Sequence, residues 1–288
     1  MVNDGAGSAG SVFVNAISLS ALRAMAESEP VLAKKWSDVI SSSGTSQEAW
    51  GDSVSFDSNG DITALNLGGR RLRSLPGAEV FSTLHQLTSL NLGGTDLPPG
   101  SIGSVIASLG SIETLHLGGN GLGASGAKIV ADFLAQNSTL TALDLRYNDL
   151  GDSGAAAVAA ALESNATLRR LYAEGNAVGD AGAGALARAL AANSTLAEIY
   201  LGGNDVGPAG AAALADGIAT NMGLEKLYLE GNMIGPGGAD AFSGALERLG
   251  DDAVLKKLYV DNNNIGKEAM QRLARALNSS EQIGEMLG

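Results

Sequence analysis

The sequence predicts an α/β solenoid, with parallel strands on a concave face, helices on a convex face and a helical cap at the amino terminus. Three observations carry that expectation. The frame L-x-x-L-x-L-x-x-N-x-[LVI]-G, seen in full from Leu140 to Gly151, returns from Ile112, Leu168, Leu196, Leu224 and Leu255, with looser copies from Ile62 and Leu87. The start positions are separated by 25, 25, 28, 28, 28, 28 and 31 residues. Alanine-rich segments such as Ala155 to Leu162 follow the frame. A fixed period in this range means stacked supersecondary units, each burying its apolar face against its neighbours.

The amino terminus divides into residues 1–18, small and polar and expected to be flexible, and a cap over 19–61. Between Leu19 and Ile40, apolar residues at helical spacing predict one or two amphipathic helices broken at Pro30. Ser41 to Gln47 reads as a loop, and Trp50 to Ile62 as strand, turn and strand. Trp36 and Trp50 are the candidate anchors of the cap's core, because the end of a stack has to be sealed. The repeats run from 62 to 277, about eight units, the last one capping; 278–288 is a tail.

Within a unit, Ala142 to Leu145 reads as a short strand. Leu140, Leu143, Leu145 and Leu150 point inward, and Thr141, Ala142, Asp144 and Arg146 are left for the surface. The chain then turns sharply where its polar groups have lost water. Asn120, Asn148, Asn176, Asn204, Asn232 and Asn263 stand at that phase, and a buried amide there can bond the backbone of its own and the adjoining coil. Arg70 and Thr95 stand in its place in the first two units. Gly151 and Asp152 are the expected helix cap, and Pro208 and Pro236 fall where an early-helix proline loses no hydrogen bond.

These residues resemble a known family. Residues from about 112 to 277 resemble leucine-rich repeats of the ribonuclease-inhibitor type, in which strand, Asn turn, glycine and helix lead to an N-x-T ending. The resemblance implies a horseshoe. Trp50 to Ile62, with Leu72-Arg-Ser-Leu-Pro76, is similar to the cap and first repeat of plant-type leucine-rich repeat proteins, but without their paired cysteines. Mixed repeats of this sort are, by resemblance, common in algal and protist proteins, some of them joined to GTPase or kinase modules.

The strand surface carries the functional expectation. The fifth residue of each frame gives Asn66, Asn91, His116, Asp144, Tyr172, Tyr200, Tyr228 and Tyr259. The last four form an unbroken tyrosine row with a spacing of about 4.8 Å, and Tyr147 lies in the same region. Tyrosine offers large contact area at low entropy cost. Arg146, Arg170, Glu174, Glu198, Lys226, Glu230, Lys257 and Asp261 flank it, a mixed-sign field suited to a protein or peptide. The row is expected to be exposed.

Other chemistries fit less well. A net charge of −13, from 31 acidic and 18 basic residues, opposes nucleic acid and anionic lipid. The absence of cysteine excludes disulfides, thiolate metal sites and thiol nucleophiles. Gly121-Leu-Gly-Ala-Ser-Gly126 matches a dinucleotide fingerprint, but Gly123 and Gly126 recur with the repeat. Asp57, Asn59 and Asp61 begin like a calcium loop, yet Ile62 replaces the turn glycine. His85 and His116 have no third metal ligand in sight, and no nucleophile is placed beside either. Sequons at Asn137, Asn165, Asn193 and Asn278 belong to the repeat and matter as glycan acceptors only in a secreted chain. No stretch reaches the ~20 apolar residues of a membrane span, and no firm signal segment is present, so a cytoplasmic location is expected.

The expectation is a monomeric, non-enzymatic scaffold, without cofactor or metal, that binds a protein or peptide. A GTPase-activating domain is the alternative, with Arg70, Arg71 and Arg73 as candidate loop arginines; an aromatic stripe that senses a glycan or other small ligand is a third.

Overall fold

The computed structural model of the protein describes residues 14–41, 47–249 and 254–278. The expected flexible start through residue 13, the 42–46 portion of the loop and the tail beyond 278 lie outside those residues.

The cap consists of α1 (Ala16–Ser28), α2 (Pro30–Ser41) and a helical turn α3 (Gln47–Trp50), followed by a 3-10 turn over Gly51–Ser53. Trp50 therefore lies on a helical turn rather than at the start of a strand. The first helix begins at Ala16 instead of Leu19, because Asn15 caps it: its Oδ1 accepts the Ser18 N–H at 2.9 Å. Trp36 and Trp50 are buried edge to face at 5.6 Å, and Phe56 continues the cluster. Glu29 is buried at the α1–α2 junction, where its carboxylate accepts N–H bonds from Val31, Arg73 and Ser74 and ties the cap to the first repeat.

Among the described residues, nine strands form one sheet in chain order: β1 (Val54–Phe56), β2 (Ile62–Asn66), β3 (Ser89–Asn91), β4 (Thr114–His116), β5 (Ala142–Asp144), β6 (Arg170–Tyr172), β7 (Glu198–Tyr200), β8 (Lys226–Tyr228) and β9 (Lys257–Tyr259). β1 and β2 pair antiparallel, and every later pair is parallel. The helices between them are α4 (Ala78–Phe81), α5 (Pro99–Ile106), α6 (Gly123–Gln136), α7 (Gly151–Leu162), α8 (Asp180–Ala192), α9 (Pro208–Ile218), α10 (Gly235–Leu249) and α11 (Lys267–Asn278). Leu90, Leu115, Leu143, Leu171, Ile199, Leu227 and Leu258 stand in register and are buried. Strands pair at about 4.8 Å whereas helices pack at about 8–10 Å, so a helix layer beside each strand curves the stack with the sheet inside.

Asparagines close the turns. Asn148 donates to Leu117 O and Leu145 O, both at 3.0 Å, and accepts the N–H of Asn120 at 3.0 Å and of Leu122 at 3.3 Å. Asn176, Asn204, Asn232 and Asn263 donate in the same way across their own and the preceding coil. Near the start Thr95 takes over, donating to Leu92 O at 2.8 Å, and Arg70 reaches back to Asn66 O and Gly68 O.

A second asparagine column lies at the helix ends. Asn165, Asn193 and Asn221 each donate to two carbonyls of the preceding coil, at 2.7 to 3.0 Å, and accept two N–H bonds from their own. These residues bind coil to coil, which is why the N-x-T ending recurs.

Two surface assignments from the sequence are corrected. Asp152 does not cap α7; its Oδ1 accepts Gly179 N–H and Gly182 N–H at 2.8 Å, at the start of α8 in the next coil. Asp180 does the same for α9 through Gly207 and Gly210. Glycine at the N-cap has no side chain to offer, so the preceding coil supplies the acceptor. Ala142 and Asp144 are buried rather than exposed, both at 5% accessibility, because neighbouring side chains close over them.

Candidate functional site: the tyrosine ledge

The register brings Tyr172, Tyr200, Tyr228 and Tyr259 onto four neighbouring strands. Their rings stack at 4.6, 4.1 and 4.6 Å between centroids, with interplanar angles of 22°, 9° and 9°. Parallel strands impose one side-chain spacing, and that spacing is close to the stacking distance of flat rings. The rings are half-buried rather than freely exposed, because each covers its neighbour.

Arg146 closes one end of the stack. Its guanidinium lies 5.6 Å from the Tyr172 ring centre and grips Asp144 with two N–H groups, at 3.0 and 2.7 Å. His116 Nδ1 is 3.4 Å from Asp144 Oδ2, the oxygen that Arg146 Nη2 also bonds. Burial alone would raise the Asp144 pKa, but hydrogen bonds from His116 and Arg146 outweigh it and hold the carboxyl well below the usual range. Glu198 accepts the Tyr200 hydroxyl at 2.7 Å and Lys226 Nζ at 2.8 Å. Those two bonds outweigh burial and lower the Glu198 pKa, while burial and Glu198 together push the Tyr200 phenol up.

The remaining expected residues flank the row. Arg170 is exposed at the start of β6, and Lys257 half-buried at the start of β9. Glu174, Glu230 and Asp261 follow the ends of β6, β8 and β9. Burial raises the pKa of Glu174 and of Glu230, and the neighbouring Asp261 adds to the rise at Glu230. Tyr147 stands apart from the stack: it sits in the turn after β5 with φ 54°, is 67% exposed and lies over Gly175.

The other half of the sheet face has no such row. Asn66, Asn91 and Asp144 turn their side chains onto N–H groups two residues ahead, in Gly68, Gly93 and Arg146. Of the candidate loop arginines, Arg70 is taken up in the first turn, Arg71 pairs with Asp96 at 3.1 Å on the surface, and Arg73 offers its backbone N–H to Glu29. Asp57 accepts the N–H groups of Asn59 and Asp61, so the calcium-like triplet forms a turn.

A family model described as Leucine Rich repeat matches four segments, 111–131, 136–159, 164–187 and 192–215, each holding one strand, its Asn turn and most of the following helix. Residues 111–215 are leucine-rich repeats. Among solved structures, it resembles leucine-rich repeat-containing protein LegL7 from Legionella pneumophila, with 22% identity and a TM-score of 0.45 over 75% of this chain and 71% of that one. A leucine-rich repeat protein of Leptospira interrogans gives 19% identity and a TM-score of 0.48 over 80% and 50%. The actin-binding site 2 of leiomodin-1 gives 17% identity and a TM-score of 0.36 over 43% and 70%. No curated protein matches the chain. Leucine-rich repeat proteins are generally non-enzymatic recognition scaffolds that bind other proteins. No helix among the described residues is long and apolar enough to cross a membrane.

Proposed function

We propose that this protein is a non-enzymatic, monomeric scaffold that docks a protein or peptide on the carboxyl-terminal half of its strand face. The observation that carries this reading is the register-locked tyrosine stack. Ordered aromatic rings have already lost most of their rotamer freedom, so a partner gains their contact area at little further entropy cost. Ion pairs hold the stack at both levels: Arg146 with Asp144 at its end, and Lys226 with Glu198 beside it. The amino-terminal half presents glycines and side chains already bonded to their own backbone, leaving less to grip.

Affinity capture from source-cell lysate tests the reading, comparing wild type with a variant carrying Tyr172→Ala, Tyr200→Ala, Tyr228→Ala and Tyr259→Ala and with Lys128→Ala on the helix face. Circular dichroism confirms that each is folded. A protein retained by wild type and Lys128→Ala but lost by the tyrosine variant is the expected outcome. Equal retention by all three contradicts the placement.

A further inference from the structure

The two edges of the ledge differ in how far their charges are satisfied. On the edge where the strands begin, Lys226 and Glu198 neutralise each other at 2.8 Å, with Arg170 and Lys257 at the same phase on either side. On the edge where they end, Glu174, Glu230 and Asp261 stand at one phase of the repeat, and the coil between the first two carries Gly202. A β-carbon at position 202 would lie 3.7 Å from Glu230 Oε2 and 3.8 Å from Glu174 Cγ. The glycine is therefore a notch with an acidic side chain leaning in from either side. Glu174 Oε2 is buried without a hydrogen-bond partner among the described residues.

A carboxylate oxygen withdrawn from water and left unpaired is costly, and a cationic N–H donor is the group that relieves it best. Burial raises the pKa of both glutamates; at Glu174 the Arg146 guanidinium opposes that rise, while Asp144 and then Glu230 add to it. At the far end of the row, Arg146 over Tyr172 already combines a guanidinium, a carboxylate and a tyrosine ring. Gly202 leaves the corresponding place beside Tyr200 without a side chain.

We propose that the segment docked on the ledge is basic, with a lysine or arginine seated over Gly202 between Glu174 and Glu230 and its neighbours lying along the tyrosines. This rests on the reading of the ledge as a docking face and names the chemistry of its partner. The net charge of −13 favours the same sign of partner and speeds its encounter.

Fluorescence anisotropy with three labelled peptides of equal length, alternating alanine with arginine, glutamate or serine, tests it on the full chain. The arginine peptide should bind, and Glu174→Gln with Glu230→Gln should weaken it by about tenfold, the factor that a loss near 1.4 kcal/mol gives. Gly202→Ala should also weaken it, because it fills the notch without removing charge; its β-carbon meets only ordinary contacts at 3.4 Å and beyond, so the fold tolerates it. Glu163→Gln with Glu247→Gln makes the same charge change at exposed helix-side positions and should leave binding unchanged. Equal losses from the two glutamine pairs would reduce the effect to net charge and overturn the notch. Tight binding of the serine or glutamate peptide, lost on Tyr200→Ala with Tyr228→Ala, would keep the docking face and overturn the basic partner. No binding by any peptide, or binding indifferent to glutamates and tyrosines alike, would overturn both.

Discussion

Asn148 bonds five backbone groups of adjacent coils with one side chain, donating to three carbonyls and accepting from two N–H groups. Replacing it with alanine leaves buried groups among them unpaired, and should cost about 3 kcal/mol in chemical denaturation. The turn asparagines were legible in the sequence because they hold one phase of the period. The second column at Asn165, Asn193 and Asn221 was not, although the same period marked three sequons there; Asn221 carries no sequon and broke the pattern. Asp152 departs from the local pattern for a related reason. Its place at the start of α7 suggests a local cap, but its acceptor serves N–H groups 27 and 30 residues ahead. Asp152→Ala should therefore lower hydrogen-exchange protection in the first turn of α8 while leaving that of α7 in place, at a cost of about 1 kcal/mol. Loss of protection confined to α7 would contradict the assignment.

At the scale of the strand, alternation told which residues face the sheet surface but not how that surface folds onto itself. Asp144 sits at a surface phase, yet Arg146 and His116 close over it. The tyrosines share that phase and stack, so they are half-covered where an isolated strand would leave them open. The edge glutamates give this level its pH signature. Because the folded-state pKa of Glu174 and Glu230 lies above the ordinary value, the native chain binds more protons than the unfolded one just above pH 4.5, and their contribution to stability falls as pH rises through that window. Asp144 and Glu198, with lowered values, act oppositely: their contribution is present above the ordinary carboxylate range and is lost as pH falls. Glu174→Gln with Glu230→Gln should isolate the first effect. The variant should be more stable than wild type at neutral pH, with the difference vanishing on acidification below pH 4.5. Denaturant midpoints across a pH series measure this, and a pH-independent difference would contradict it.

For the whole molecule, period and frame sufficed to predict parallel strands on one face and helices on the other, because each coil buries the same leucine set against the next. The details of the amino-terminal end were less legible. Asn15 extends the first helix and Glu29 ties the cap to Arg73 and Ser74 through contacts more than 40 residues apart, which no local pattern reports. The tyrosine row of the candidate site was legible, whereas its stacking, its ion-paired end and the acidic notch emerge only when coils are superposed. The chain's own tyrosines supply the most direct test of the central claim, since four lie on the ledge and the fifth, Tyr147, is exposed outside the stack. Residue-resolved nitration of the captured complex should find Tyr172, Tyr200, Tyr228 and Tyr259 protected relative to the free protein, with Tyr147 modified to the same extent in both. Unchanged modification of the four ledge tyrosines in a complex that is demonstrably formed would contradict the account.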